Sequence, residues 1–244
     1  MAKRKAVFIT GGTGSVGQSL IELFTSSEFE VYFQFYKDVQ KAQELSKKFK
    51  AQSFQIDFFG NFVLPDTNFD IIINNAGINI SDARTHLVTK ENWQKTLFFN
   101  LEIPFMIIKK YLPYMMENKY GRIINISSIY GLRASEENLP YTVSKHGLTG
   151  ITQTIAKEYA EFGITCNEIC PAAINSMMMD RIALNYAKKE NSTVRQYLKE
   201  VCDAIPTKRM AEPKEIASLS LFLCSQNASF INGSSIPVDG GLIC

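Results

Sequence analysis

Short apolar runs alternate along the chain with segments whose apolar residues recur every three or four positions. The runs are rich in β-branched and aromatic residues, and they occupy residues 5–10, 30–36, 54–57, 70–73, 123–126, 164–169 and 233–238. Such runs predict buried strands, and the amphipathic segments between them predict helices. Because strands that alternate with helices favour a parallel sheet covered on both faces, we predict an α/β protein with a doubly wound parallel sheet in three α/β/α layers.

The predicted helices differ in length and exposure. Residues 41–48 predict a solvent-exposed helix, residues 91–118 a long helix with a kink at Pro104, and residues 215–223 a final helix. Residues 58–70 contain too many glycine, asparagine, aspartate and proline residues for a long helix. Asn100 lies in an apolar stretch of the long helix, and a buried amide needs hydrogen-bond partners.

Composition limits the classes of protein and of partner. The chain has 244 residues, of which 45% are hydrophobic and 20% charged, and its net charge is +2. This suits one domain over residues 1–244 and does not suggest a nucleic-acid partner. The five cysteines form no Cys-x-x-Cys pair, there are two histidines, and no apolar run is long enough to span a membrane. We expect a soluble, cytoplasmic protein without a metal site, a nucleic-acid partner or a membrane partner.

A glycine-rich segment follows the first predicted strand and precedes a helical pattern. Gly12, Gly14 and Gly17 form a Gly-x-Gly-x-x-Gly pattern there. Glycine allows the backbone to approach a pyrophosphate, which then binds the N–H groups at the start of the helix. The pattern predicts dinucleotide binding, and an ordinary glycine-rich turn is the alternative.

The end of the second strand bears on the choice of cofactor. Lys37 could pair with the 2′-phosphate of NADP, whereas Asp38 could accept hydrogen bonds from the ribose diol of NAD. We favour NADP(H) because Asp38 follows the basic residue and lies outside the predicted strand; a solvated charge is the alternative role for Lys37. Asp57, after the third strand, could bind an adenine edge or begin a turn.

A serine, a tyrosine and a lysine occupy positions that suit proton transfer. Ser128 follows the strand at residues 123–126, and the helix that begins at Pro140 carries Tyr141 and Lys145 on one face. An ammonium beside a phenol favours the phenolate, so we predict that Lys145 lowers the pKa of Tyr141, which then acts as a general acid or base. Chance occurrence of the pair, and a turn role for Ser128, are the alternatives.

Residues 172–206 differ in composition from the rest, with three consecutive methionines at 177–179. Methionine is adaptable and suits flexible apolar surfaces. The segment predicts either a mobile helical lid over the site or helices that pack against the core.

Together these motifs resemble the short-chain dehydrogenase/reductase family in its single-domain branch, which has a Rossmann-like fold. The resemblance rests on the glycine loop, Asp57, the Asn74-Asn75-Ala76-Gly77 segment, Asn100, Ser128 thirteen residues before Tyr141, Lys145, the stretch from Asn167 to Pro171, and the closing Val238-Asp239-Gly240-Gly241. Within the family the chain looks most like 3-oxoacyl-acyl-carrier-protein reductases and acetoacetyl-CoA reductases.

The resemblance implies a catalytic tetrad. Tyr141 would exchange the proton, Lys145 would hold the nicotinamide ribose, Ser128 would orient the carbonyl, and Asn100 would support a proton-relay water. The cofactor contacts it implies are Gly11, Thr13, Gly14, Ser15, Val16, Gly17, Tyr36, Lys37, Asp57, Phe58, Asn75, Ala76, Gly77, Tyr141, Lys145, Pro171, Ile174 and Ser176.

Some positions depart from the family pattern. Ser15 stands where the short branch has a glycine, which resembles the extended branch that handles nucleotide sugars, although that branch carries a further C-terminal domain. Ala172 replaces a glycine, and Ser176 replaces a threonine that would meet the nicotinamide carboxamide. Phe162 stands where carrier-protein enzymes tend to have a basic residue, and the segment between Asp57 and Asn74 is short for the family.

We therefore expect an NAD(P)(H)-dependent oxidoreductase that acts on a ketone or secondary alcohol, with a 3-oxoacyl thioester or a similar small carbonyl as substrate. An NAD-dependent alcohol dehydrogenase and a catalytically idle dinucleotide-binding scaffold or sensor are the alternatives. By resemblance we also expect a homo-oligomer, a tetramer or a dimer, in which the helices bearing Asn100 and Tyr141 pack between subunits.

Overall fold

The computed structural model describes residues 4–80 and 83–244, and its centre is one seven-stranded parallel sheet. The strands are β1 (Ala6–Ile9), β2 (Glu30–Phe35), β3 (Gln52–Gln55), β4 (Ile71–Asn74), β5 (Gly121–Ile126), β6 (Ile164–Pro171) and β7 (Ser235–Val238). Their order in the sheet is β3-β2-β1-β4-β5-β6-β7. The chain reverses its direction of winding between β1 and β4, which makes a crevice at the carboxyl ends of these strands. The predicted α/β fold is confirmed.

Eight α-helices lie within the described residues. They are α1 (Ser15–Ser26), α2 (Val39–Phe49), α3 (Lys90–Leu97), α4 (Ile103–Glu117), α5 (Leu139–Tyr159), α6 (Met177–Lys189), α7 (Val194–Ala204) and α8 (Pro213–Cys224). No helix in this part of the chain combines the length and the apolarity needed to cross a membrane.

Alternate residues of the strands pack into two separate hydrophobic cores. Val7 and Ile9 of β1 face the core formed with α1, α2 and α8, whereas Ala6 and Phe8 face the core formed with α4 and α5. Side chains that alternate between the faces of a strand produce this division. The result is the predicted three-layer α/β/α arrangement.

The third strand lies two residues earlier than the pattern predicts. Its register runs from Tyr32 opposite Gln52 to Phe35 opposite Gln55, so pairing with β2 sets its ends. No helix crosses from β3 to β4 within residues 56–70, as the breakers in this segment predict. Phe58 and Leu64 are buried there and fill the space beside the sheet.

The long helix that the sequence predicts with a kink at Pro104 is interrupted by a π-helical turn just before that proline. A π-helical turn, Phe98–Glu102, separates α3 from α4, and Pro104 lies in the first turn of α4. Proline has no N–H to donate to the carbonyl four residues before it, so the α-helical pattern cannot continue through this point. Instead the N–H of Ile103 donates to the carbonyl of Phe98, five residues back.

Candidate active site

The carboxyl edge of the sheet collects the predicted site residues. The glycine loop follows β1, Asn75 follows β4, Ser128 follows β5, and Pro171 is the last residue of β6. Because these four strands are neighbours in the sheet, the segments that follow them line one crevice.

The glycine loop has no room for side chains at two of its positions. A Cβ at Gly12 would lie 2.4 Å from the Phe33 ring, and one at Gly17 would lie 2.2 Å from the carbonyl oxygen of Gly11. The loop leads into α1, whose N-terminus has no side-chain cap and no acidic residue in its first turn. Exposed N–H groups and the positive end of a helix dipole are what a phosphate requires, so the loop fits the pyrophosphate of a dinucleotide.

Two polar residues that the sequence analysis did not select hold this loop. The side chain of Gln34, buried in β2, accepts from the Gly11 N–H at 2.9 Å and donates to the carbonyl of Ile56 at 2.7 Å. The hydroxyl of Thr10 accepts from the N–H groups of Asn75 and Ala76 at 3.0 and 2.9 Å. A polar residue inside an apolar strand was the available signal for Gln34.

Asn75 also ties β4 to the glycine loop. Its side-chain amide donates to the carbonyls of Thr10 at 2.8 Å and Gly11 at 3.3 Å. The predicted cofactor residues Asn75 and Ala76 therefore position the main chain of the loop as well as lining the crevice.

At the end of β2, Tyr36 and Lys37 are exposed, and the Lys37 ammonium lies 4.7 Å from the centroid of the Tyr36 ring. Asp38 is instead the N-cap of α2, since its carboxylate accepts from the Lys41 N–H at 3.0 Å. Capping takes one oxygen of the exposed Asp38 carboxylate, so its role as a ribose ligand stays a prediction.

Asp57 and Phe58, two predicted cofactor residues in the segment after β3, make different contacts. Asp57 begins a turn, with its carboxylate accepting from the Phe59 N–H at 2.9 Å, while the side chain of Phe58 is buried between Phe62 and Phe99. Only the main chain of Phe58 can face a ligand.

Ser128, Tyr141 and Lys145 come together as predicted. Tyr141 lies in the first turn of α5, which begins with Leu139 and Pro140, and its phenol lies close enough to the Ser128 side chain for hydrogen bonding to lower the phenol's pKa. Lys145, one turn later, is buried, and its ammonium donates to the main-chain carbonyl of Ile126 at 2.9 Å. The ammonium is 5.5 Å from the centroid of the Tyr141 ring.

The predicted direction of the Tyr141 pKa is wrong. Burial raises the pKa of Tyr141 to about 12, and the hydrogen bond with Ser128 opposes this rise only in part. Burial lowers the pKa of Lys145 to about 8, against the opposing charges of Glu168 and Cys170. The four-residue spacing brings the two side chains near each other, but the ammonium is directed to Ile126 rather than to the phenol oxygen.

Asn100 is buried at the π-helical turn, and its side chain finds the partners that the sequence analysis required. Its carboxamide accepts from the Ile78 N–H at 2.9 Å and donates to the Ile78 carbonyl at 2.8 Å and to the Ser144 hydroxyl at 3.2 Å. A Cβ at Gly77 would lie 3.7 Å from both the Asn100 side-chain oxygen and the Lys145 nitrogen. The main chain at Gly77 thus passes directly over Asn100 and Lys145.

The segment after β6 carries the remaining predicted residues. Pro171 pairs with Val238, and Ile174 forms a single bridge with Ala211. The Ser176 hydroxyl caps α6 by accepting from the Met179 N–H at 3.3 Å.

Residues 172–206 contain α6 and α7, which make few core contacts. Ala183 is the one buried residue of α6, and α7 has none, so the core-packing alternative is not supported. The Met177 N–H donates to the Ser15 hydroxyl at 3.2 Å, and Lys189 pairs with Glu137 at 3.1 Å. These contacts connect α6 to the glycine loop at one end and to the loop before α5 at the other.

Comparison with known proteins assigns the chain to a family. A family model described as enoyl-(acyl carrier protein) reductase matches residues 12–243. The chain is 35% identical to a D-beta-hydroxybutyrate dehydrogenase of Rhizobium meliloti (strain 1021), over 70% of this chain and 67% of that protein. It is 31% identical to a 3-oxoacyl-[acyl-carrier-protein] reductase of Rickettsia conorii, over 98% of this chain and 97% of that protein.

Solved structures agree on the fold. An actinorhodin polyketide ketoreductase with NADPH superposes with a TM-score of 0.90 at 23% identity, covering 99% of both chains. Thermoplasma acidophilum aldohexose dehydrogenase superposes with a TM-score of 0.85 at 26% identity, covering 98% of this chain and 94% of that one. The chain belongs to the short-chain dehydrogenase/reductase family of oxidoreductases.

Proposed function

We propose that this protein is an NADP(H)-dependent carbonyl reductase that acts on a 3-oxoacyl thioester or a similar small ketone. The observation that carries the proposal is the grouping of Ser128, Tyr141 and buried Lys145 at the sheet edge that also holds the glycine loop. Membership of an oxidoreductase family supports the reaction class, namely interconversion of a carbonyl and an alcohol.

Four residues of the chain have separate roles in the proposed reaction. The glycine loop would hold the dinucleotide, whose nicotinamide would supply the hydride, and Tyr141 would give its phenolic proton to the carbonyl oxygen. Ser128, beside Tyr141, would orient that oxygen, and the Lys145 ammonium would stabilise the negative charge left on the phenol. Asn100 holds Ile78 and Ser144, and in this way fixes the wall of the crevice around Lys145.

The contacts at the end of β2 support NADP(H) over NAD(H). Lys37 is exposed beside the Tyr36 ring, where an ammonium can meet a 2′-phosphate, while the Asp38 carboxylate is engaged in capping α2. The alternative, an NAD-dependent alcohol dehydrogenase, would use as the diol acceptor the oxygen of Asp38 that does not cap α2.

The proposed substrate class rests on the relatives and on the segment from 172 to 206. Two of the relatives are named for 3-oxoacyl and 3-hydroxybutyrate substrates, in which the reacting carbon lies two bonds from a carboxyl or thioester carbon. Met177 and Met178 are exposed on α6, beside the glycine loop, and flexible thioether side chains suit an acyl chain of variable shape. We assign this segment the role of a substrate lid.

We also propose that the protein is a homo-oligomer of the cytoplasm. Phe105 and Met106 of α4 are 47% and 39% exposed, and a Cβ at Gly150 of α5 would meet nothing within 4 Å. Exposed apolar side chains on α4 and an uncovered small residue on α5 suit packing of these two helices against a second copy. Size-exclusion chromatography with light scattering tests this, because a monomer would contradict it.

The experiment that tests the function compares Tyr141→Phe with the natural protein. With NADPH and acetoacetyl-CoA as probes, we expect the variant to lose turnover by at least about a hundredfold, the usual contribution of a general acid. Cofactor binding, followed through fluorescence of Trp93, the single tryptophan, should be unchanged.

Tyr130→Phe is the matched control, since its ring lies 6.5 Å from that of Tyr141 and it should keep most activity. An active Tyr141→Phe variant would refute the mechanism. Binding of NADPH without turnover of any ketone or alcohol in a broad panel would instead favour the scaffold or sensor. Tighter binding of NADH would favour the NAD-dependent dehydrogenase.

A further inference from the structure

A buried carboxylate, Glu168, lies beside the proposed site and has no part in the mechanism above. It occupies the middle of β6, opposite Asn125 of β5, and its side chain is fully buried. Among residues 4–80 and 83–244 it is the one buried acid, and the buried cations are Lys145 and Arg122. A buried ionised group is costly unless an opposite charge or hydrogen bonds compensate it, so Glu168 requires an explanation.

Hydrogen bonds compensate one oxygen of Glu168 and not the other. One oxygen accepts from the hydroxyl of Thr149, at 2.7 Å, and from the hydroxyl of Ser235. The other oxygen is buried and finds no hydrogen-bond partner in the described part of the chain. Two neutral hydroxyls fix the position of the carboxylate, but they do not balance its charge.

Lys145 is the cation that the fold brings to this carboxylate. The Lys145 ammonium donates to the carbonyl of Ile126, the residue after Asn125, and Asn125 lies directly opposite Glu168 in the sheet. Thr149, one turn after Lys145 on α5, donates its hydroxyl to Glu168, and the charge of Glu168 partly offsets the lowering of the Lys145 pKa by burial. Arg122 lies opposite Thr165, three positions from Glu168 along the sheet, which is roughly 10 Å. Arg122 is also bound to the main-chain carbonyls of Gly121 and Gly163 at the other end of the strands.

The other titratable groups around Glu168 and Lys145 are two thiols and a phenol, which are uncharged at neutral pH. On the same face of β6 as Glu168 are the thiols of Cys166 and Cys170, and burial raises the pKa of Cys170 to about 12. Tyr141 on α5 has a raised pKa, and the Lys145 ammonium otherwise meets the uncharged carbonyl of Ile126. Cys170 lies within the field of both charges, since Glu168 raises its pKa and Lys145 lowers it.

We propose that Glu168 is a positioning residue whose buried negative charge keeps Lys145 protonated, with Thr149 and Ser235 holding the carboxylate in place. This inference rests on the proposed function for its consequence in turnover, because the reaction needs Lys145 as an ammonium. The pairing of charges itself does not depend on the substrate or the cofactor.

The test uses the full-length protein and reads Lys145 directly. Protein labelled with ¹³C,¹⁵N-lysine is titrated by NMR, and the Lys145 signal is the one missing from Lys145→Met. In Glu168→Gln, which keeps the shape and the hydrogen-bond acceptor but removes the charge, we expect the Lys145 midpoint to fall by about one pH unit or more, the size expected for unit charges within roughly 12 Å of each other at an effective dielectric constant near 20.

Ser235→Ala is the matched control, because it removes one hydrogen bond and leaves the charge. Its Lys145 midpoint should stay at the natural value. An unchanged midpoint in Glu168→Gln, or an equal change in both variants, would overturn the proposal. If turnover with acetoacetyl-CoA is absent from the natural protein while the midpoint moves as expected, the proposed function fails and the charge pairing stands.

A rescue experiment covers the case in which Glu168→Gln does not fold. The double variant Lys145→Met/Glu168→Gln removes both buried charges, so it should fold where a single variant with one uncompensated charge does not. Circular dichroism and urea unfolding report the outcome. A double variant that is no better folded than the worse single variant would overturn the pairing.

Discussion

The carboxamide of Asn100 forms two hydrogen bonds with the main chain of Ile78, accepting from its N–H at 2.9 Å and donating to its carbonyl at 2.8 Å. The pair joins the π-helical turn to the segment that follows β4. Because Asn100 is buried, its removal would leave both main-chain groups of Ile78 without these partners.

We expect Asn100→Ala to lower the free energy of unfolding by about 2 kcal/mol, the cost of buried polar groups left unpaired, and to reduce turnover. Urea unfolding and steady-state kinetics measure the two effects. Asn118→Ala is the control, since its amide donates to the Tyr114 carbonyl at the exposed end of α4 and should cost less than about 0.5 kcal/mol. Equal losses in both variants would contradict the structural role of Asn100.

A pH titration of Tyr141 distinguishes the raised pKa that burial gives from the lowered pKa that the spacing of Tyr141 and Lys145 predicts. Burial raises the pKa to about 12, so the difference in phenolate absorbance between the natural protein and Tyr141→Phe should show no midpoint below pH 10. The folded protein holds this proton more tightly than an unfolded chain, whose tyrosine pKa is about 10, and the associated stability is lost as the pH rises from 10 to 12. A midpoint near pH 8 would instead support the interpretation from spacing alone.

Cofactor choice should depend on Lys37 and not on Asp38. We expect Lys37→Ala to weaken NADPH binding by about tenfold and to leave NADH binding unchanged, because only NADPH carries the 2′-phosphate. Fluorescence titration measures both affinities, and Lys47→Ala, a loss of another exposed lysine in α2, is the control.

Asp38→Ala should act on stability instead. It removes the N-cap of α2 and should lower the free energy of unfolding by about 1 kcal/mol without a change in NADH affinity. A loss of NADH affinity in this variant would return Asp38 to the role of a ribose ligand.

The ion pair between Glu137 and Lys189 of the proposed lid should control access to the site. The hydrogen bond from Lys189, its charge and then the charge of Arg84 lower the pKa of Glu137 below its ordinary value, so the contact is formed at neutral pH and is lost as the pH falls below about 4.5. We expect Glu137→Gln to raise KM several-fold with little change in kcat, and to speed hydrogen exchange in α6.

Glu190→Gln, at the exposed end of the same helix, is the matched control for this measurement. Hydrogen exchange in α6 that is the same in Glu137→Gln, Glu190→Gln and the natural protein would exclude Glu137 as a tether of the lid.

The local pattern of the sequence was sufficient for the strands and for the central residues of the candidate site. The spacing of apolar residues predicted all seven strands within about two residues, and glycines at fixed intervals predicted the loop that leads into α1. The group of Ser128, Tyr141 and Lys145 was predictable because each follows from its position at a strand end or in the first turns of a helix. These features depend on neighbours in the chain, which the sequence displays directly.

Only the tertiary structure decided how these groups act on one another. The ammonium of Lys145 is directed to Ile126 of β5, Gln34 reaches from β2 to the glycine loop, and Glu168 of β6 lies beneath α5. Each contact joins residues far apart in the chain, and each depends on the order of strands in the sheet and on the depth of burial. Burial decided the pKa of Tyr141 as well, because desolvation of the phenol outweighs any effect of a lysine four residues away.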